Sequence, residues 1–233
     1  LDQADALRAK RLEALAHLDG LTQSIFIEMF GDPSSNPQQW SFVTLNDLVR
    51  KDDTINYGVV QPGDDVDEGI PLVRVGDVVE GNFDSKFLKK IDPSVEAAYK
   101  RSRLKGDEIL VTCVGSIGVV AIAEPSMKGF NIARAVARVP VSDGTDRTFL
   151  ASYLQTDFVQ RYFTSELRTV SQPTLNIKQI CETKVIQPPL KAQKSFATRI
   201  QSVEALKATH RATLHELDSL FASLQHRAFA GEL

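Results

Sequence analysis

A chain of 233 residues, 42% hydrophobic and 24% charged, is long enough to bury a substantial core and is expected to fold as one or two domains. Its two cysteines exclude a disulfide framework and lack the paired spacing of a structural zinc site. No run approaches the ~20 apolar residues of a membrane span, so a cytoplasmic chain without membrane contact is expected. A net charge of −3 argues against a bulk polyanion binder and leaves room for a local basic face.

Residues 1–31 read as a long helix, with Leu7, Leu15, Leu18, Leu21 and Ile25 at spacings of three and four and Gly31 as a stop. Residues 190–233 read the same way, through Phe196, Ile200, Val203, Leu206, Leu214, Leu217, Phe221 and Leu224 to Gly231. The two helices are one segment written twice. Shifting the sequence by 199 positions aligns Ala6 with Ala205, Leu7 with Leu206, Leu15 with Leu214, Leu18 with Leu217, Asp19 with Asp218, Leu21 with Leu220 and Phe30 with Phe229, without a gap. Sevenfold spacing through Val203, His210, Leu217 and Leu224 fits a coiled-coil seam, with Lys207 and His210 as polar interruptions that set register or partner, and the two long helices are expected to pack in an antiparallel, coiled-coil-like way. The residues expected to pack there or dock a partner are Leu15, Leu18, Leu21, Ile25, Val203, Leu214, Leu217 and Leu224.

Residues 38–188 read as an α+β domain. A link with Pro33 and Pro37 opens it. "IPLVRVGDVV", "GDEILVTCVG" and "IGVVAIAE" are β-branched, bounded by turn residues, and predict strands. "TDRTFLASYLQTDFVQRYFTSEL" returns to helical spacing, and "TLNIKQICETKVIQPPL" predicts a short helix or turn, a last strand and a stop at Pro188 and Pro189.

Taken in this order, "FGDPSSNPQQWSFVTLNDLV", "IPLVRVGDVVEGNF", "LKGDEILVTCVGSIGVVAI", "TLNIKQICETKVIQPPLKAQKSFATRI" and "LQHRAFAGEL" resemble the DNA-specificity (S) subunits of type I restriction-modification systems. The resemblance implies a target-recognition domain that reads half of a split double-stranded DNA site, flanked by helices that set spacing. Only the later half of such a subunit is matched. A fragment of a longer subunit and a half-length subunit that pairs with itself both remain open. The resemblance further implies docking to a methyltransferase subunit and, through the complex, to a restriction/translocase subunit. No cofactor is expected in this chain, S-adenosylmethionine belonging to the methyltransferase partner. A coiled-coil assembly module whose α+β domain binds protein is the alternative.

Charge is sorted along the domain. From Asn46 to Asp84 ten acids face Arg50, Lys51 and Arg74, whereas from Ser85 to Arg138 ten bases face five acids. The basic stretch is therefore the candidate for phosphate contact, through Lys86, Lys89, Lys90, Lys100, Arg101, Arg103 and Lys128. Base reading needs paired donors and acceptors, expected on the loops at Arg74, Ser116, Asn131, Arg134, Arg168, Ser171, Gln172, Thr174 and Asn176. Thr174 or Asn176 is equally suited to cap the following helix.

A catalytic constellation is not evident. "HRATLHELD" lacks the second histidine of a zinc protease, its place being taken by Ser219. "GSIG" lacks the third glycine of a dinucleotide fingerprint and the lysine of a phosphate loop. "IQPPL" carries Leu190 where a flipped-adenine pocket needs an aromatic ring, and so reads as a rigid hinge. The chain is expected to be non-catalytic.

Overall fold

A computed structural model describes residues 2–81, 83–167 and 173–229. Two compact units emerge, one made of 1–29 with 195–233, the other of 30–194.

The first unit is the helix repeat. Helix α1 (Asp2–Phe30) and helix α7 (Leu190–Phe229) run antiparallel. Phe26 meets Phe196 edge-on at 5.6 Å, Glu28 pairs with Arg199 at 3.3 Å, Arg11 meets His210 at 2.9 Å, and Arg8 pairs with Asp218 and stacks on Phe221. The less exposed positions of α1 include Arg8, Arg11, Leu15, Leu18, Thr22 and Ile25; those of α7 include Phe196, Ala197, Ile200, Val203, Lys207, His210, Thr213, Leu214, Leu217 and Phe221. Their alternating steps of three and four residues form the heptad seam. Of the two roles expected for Leu21, partner docking is the one that an exposed position suits: Leu21 is not in the seam, being 38% exposed, and its equivalent Leu220 is 51% exposed. Both fall one residue, about 100° of helix rotation, off the seam, whose position is taken by Thr22 in one copy and Phe221 in the other. The side chain of Leu224 lies outside the described residues.

The second unit is α+β. Gly31 stops α1 in the left-handed conformation (φ 77°), which a side chain could not share with Pro37, whose Cγ would lie 2.5 Å from its Cβ. Trp40 then folds back and its indole donates to the Phe30 carbonyl at 3.1 Å. Strands β1 (Phe42–Thr44) and β9 (Lys184–Ile186) pair antiparallel and close the unit. Its centre is a four-stranded antiparallel sheet of β2 (Asn56–Tyr57), β8 (Val136–Val139), β5 (Ile109–Thr112) and β6 (Val120–Ile122), in that order. A second sheet places β3 (Ile70–Val73) between β4 (Lys89–Ile91), antiparallel, and β7 (Asn131–Ile132), parallel. Val73, Val78, Leu88, Leu104, Leu110, Met127, Ile132 and Val136 form a buried cluster.

The strand expected from "IPLVRVGDVV" ends at Val73, and Val75–Glu80 is helix α2. Asp77 overrides the β-branched pattern by accepting the Arg74 amide at 2.7 Å, and Gly81 ends the turn in the left-handed region. After the short helix α3 (Pro93–Glu96) and a 3-10 turn at Ala97–Ser102, the predicted helical stretch divides into α4 (Arg147–Leu154) and α5 (Asp157–Ser165). Asp146 caps the former through the amides of Thr148 and Phe149. Helix α6 (Ile177–Cys181) precedes β9. Among the described residues, no helix is long and apolar enough to cross a membrane.

Candidate nucleic-acid interface

The charged layout of the second unit starts from Arg138, in β8 and 1% exposed. Its guanidinium bonds Asp53 and also Glu108, the latter at 3.0 Å. Glu108 is itself buried and accepts the amides of Lys105, Gly106 and Asp107 at 2.8–3.1 Å, so its carboxylate fixes the loop that carries Lys105. Burial pushes the Asp53 carboxyl up, but hydrogen bonds from Arg138, Lys105 and the Thr54 amide outweigh it and hold the group below the usual carboxylate range. Opposite Arg138 in register stands Asn56, whose amide nitrogen donates to the carbonyls of Thr54 and Arg101.

Asn131 supports the neighbouring turn from below. It is fully buried, donates to Glu96 and to the Tyr99 carbonyl, and accepts from Ser102 at 2.7 Å and from the Ile132 amide at 2.8 Å. It was expected to face DNA; instead the parallel pairing of β7 with β3 takes it inside, where its bonds are used by protein. Glu96 also pairs with Arg103, whose hydrogen bond holds the carboxyl below its ordinary value against the opposing effect of burial. On this framework Lys100, Arg101, Arg103 and Lys105 come together with Asp52, Asp53, Asn56 and Arg138 around an open cavity of about 280 Å³.

The other expected phosphate ligands separate from this cluster. Lys89 and Lys90 donate their ammonium groups to the carbonyls of Gly63 and Asp67, and the Lys90 amide bonds Asp65 at 2.8 Å. They pin the acidic 64–68 loop to β4, and their donors are turned to protein rather than offered to phosphate. Lys86 and Lys128 are exposed on separate turns.

Three of the expected base-reading residues lie on adjoining segments. Ser116 is exposed in the β5–β6 turn, Arg134 is exposed in the β7–β8 turn, and Thr174 pairs with Val114 in an isolated bridge. Backbone bonds tie these segments: Cys113 amide to Ala135 carbonyl at 2.8 Å, Leu175 amide to Cys113 carbonyl at 2.9 Å, and Arg134 amide to Val59 carbonyl at 2.8 Å. The Tyr57 hydroxyl adds a bond to the Leu175 carbonyl at 3.1 Å. Asn176 stands at the start of α6, its amide donating to Gln179. Arg74 is committed to Asp77 through two guanidinium contacts at 3.2 Å, at some distance in the chain from this cluster. Arg168, Ser171 and Gln172 lie outside the described residues.

Lys105 and the Asn56–Arg138 floor were not singled out from sequence. Lys105 carries a signal: it is spaced two residues from Arg103 on extended chain, so both face one side. Asn56 carries none, because only cross-strand pairing brings it to Arg138. Burial pushes the Cys113 thiol up to about 12 and raises Cys181 as well, so neither is poised as a thiolate nucleophile. Among the described residues no group of three or more His, Cys, Asp or Glu is arranged to hold a metal ion.

The sequence matches the family described as the type I restriction modification DNA specificity domain over residues 37–219. It is 34% identical over 202 residues to the type I restriction enzyme EcoBI specificity subunit of Escherichia coli, covering 84% of this chain and 42% of that one. The fold is similar to the HsdS subunit from Thermoanaerobacter tengcongensis, with a TM-score of 0.60 at 21% identity over 100% of this chain and 56% of that one. It is also similar to the type I restriction-modification S subunit from M. genitalium, with a TM-score of 0.57 at 16% identity over 94% and 57% of the two chains. The chain thus spans about half the length of the relatives it matches. This chain belongs to the type I restriction-modification DNA specificity family.

Proposed function

We propose that this chain reads one half of a bipartite double-stranded DNA site through its α+β unit and docks methyltransferase subunits through its helical unit. Methylation and cleavage then fall to the methyltransferase, which holds S-adenosylmethionine, and to the restriction subunit reached through the complex. Sequence is read by the cluster of Ser116, Arg134 and Thr174.

The observation that carries the docking part of this reading is the Arg11–His210 contact. These residues stand 199 positions apart, the offset of the repeat itself, so each touches its own equivalent. A contact between equivalent residues of antiparallel copies requires a local two-fold between the helices. That symmetry makes two like surfaces. Leu7 and Leu206, 51% and 47% exposed, are equivalent, as are Leu21 and Leu220. The pair on each helix is separated by 14 residues, about 21 Å along one face. Two equivalent pairs of exposed leucines suit two copies of one helical partner.

The test is the solution mass of the chain, alone and with its cognate methyltransferase subunit, at two salt concentrations. A complex containing methyltransferase is expected, and Leu206→Asp with Leu220→Asp is expected to weaken it at unchanged helix content. A dimer alone supports a half-length subunit that rebuilds two reading heads, and a monomer that binds methyltransferase supports one half of a longer subunit. A chain that binds neither overturns the docking reading and favours a protein-binding assembly module.

A further inference from the structure

We propose that the cavity beneath the Ala97–Ser102 turn is a phosphodiester socket that anchors the DNA backbone beside the base-reading cluster; this rests on the DNA-recognition reading above. The cavity is lined by five cationic side chains, Lys100, Arg101, Arg103, Lys105 and Arg138, against two acidic ones, Asp52 and Asp53. Three of the five are already balanced: Arg103 by Glu96, and Lys105 and Arg138 by Asp53 and Glu108. Among the described residues Lys100 and Arg101 have no salt bridge and are exposed, as is Asp52, so the five cations set against Asp52, Asp53, Glu96 and Glu108 leave a net charge of +1.

This differs from a solvated run of surface charge in one respect. The two rim cations stand on a turn that is fixed from beneath by Asn131, Ser102 and Glu96, and the opposite wall is fixed by the Glu108 carboxylate. The backbone that carries both charges is thus fixed before a ligand arrives, so binding has only the two side chains left to order. An oxyanion with several acceptor oxygens and no donors suits such a rim, and the exposed duplex supplies it as phosphodiester.

Position fits the role. From Thr54 at the cavity to Val59, which bonds Arg134 in the reading cluster, the chain advances five residues, at most about 18 Å. That is commensurate with a major groove about 12 Å wide, so one duplex can meet both.

The experiment is fluorescence anisotropy of a labelled 40-base-pair duplex of arbitrary sequence with the chain in complex with its methyltransferase subunit, from 50 to 300 mM KCl. Lys100→Ala with Arg101→Ala is expected to reduce the slope of log K against log salt by about 1.8, from two contacts at about 0.9 each. Affinity near 0.1 M salt falls by up to about 60-fold. A control that removes the same charge elsewhere, Lys184→Ala with Lys191→Ala, both exposed, is expected to leave the slope unchanged. A double variant whose slope and affinity match the unaltered complex overturns the socket and leaves DNA recognition standing. An unaltered complex that shows no salt-dependent duplex binding overturns both. Titration with inorganic phosphate separates the sources: loss of phosphate binding with duplex binding retained overturns the assignment to DNA.

Discussion

Replacing Arg138 by methionine should unfold the second unit at much lower denaturant. The substitution keeps the apolar stem and removes the cation that serves both Asp53 and Glu108. Breaking a buried ion pair from one side costs about 3–5 kcal/mol, because the abandoned charges stay buried. The lower end applies here, since Glu108 retains three backbone amides and Asp53 retains Lys105 at 3.0 Å and the Thr54 amide at 2.9 Å. With a urea dependence of about 2 kcal/mol per molar, a loss of about 3 kcal/mol moves the midpoint down by about 1.5 M. Trp40 is the only tryptophan in the chain and lies in this unit, so its fluorescence follows the transition. Adding Asp53→Asn to Arg138→Met should recover part of the loss, since the two residues are coupled. A midpoint shift below about 0.3 M for Arg138→Met, or strictly additive effects of the two changes, would refute the argument that this network is a charge-balanced platform.

Gly58→Ala should destabilise the same unit by about 3 kcal/mol, read by the same fluorescence transition, because the new Cβ would lie 1.6 Å from the Ile132 carbonyl oxygen. Gly76→Ala, in α2 with no atom within 4 Å of its Cβ, should instead raise stability by about 0.4–1 kcal/mol. Acid should act through Glu96, whose folded carboxyl is held below its unfolded value by Arg103. The stability from that shift is present in full above about pH 4.3 and is lost as pH falls through the depressed folded value. The urea midpoint is therefore expected to change little from this source between pH 7 and 5 and to drop below about pH 4. Glu96→Gln should be weaker at neutral pH and lose less on acidification; a parallel acid limb in both proteins would count against the pairing.

The helix repeat was legible because a heptad pattern is local and survives in sequence. The seam positions Leu15, Leu18, Val203, Leu214 and Leu217 follow from spacing alone. Leu21 did not, since an apolar residue one step off the seam looks the same in composition and differs only in the direction it faces. "VGDVV" misled for the opposite reason: its valines favour a strand, and a single carboxylate at Asp77 with a glycine at position 81 decides for a helix. Asn131 and Lys90 were illegible in principle. Asn131 is buried by pairing with β3 and bonds Glu96, 35 residues away, and Lys90 is consumed by Asp67, 23 residues away. Neither pair falls within one element or follows from a helical or strand period, so spacing alone does not couple the partners.

Charge counting along the chain has the same limit, and it bounds how strongly this unit can hold DNA. Ten bases lie between Ser85 and Arg138. Lys89 and Lys90 are turned to carbonyls, and Arg103, Lys105 and Arg138 are paired with carboxylates. Five remain without a salt bridge among the described residues: Lys86, Lys100, Arg101, Lys128 and Arg134. If phosphate contacts are confined to this stretch, the slope of log K against log salt is at most about 4.5 in magnitude, five contacts at about 0.9 each. Lys89→Ala with Lys90→Ala should then leave that slope unchanged, although both sit in the same basic run as Lys100 and Arg101. A measured slope well above the bound would place the remaining phosphate contacts on partner subunits or on other parts of the chain. A loss of slope on removing Lys89 and Lys90 would show that their carbonyl bonds yield to DNA, and that the acidic 64–68 loop is released when the duplex binds.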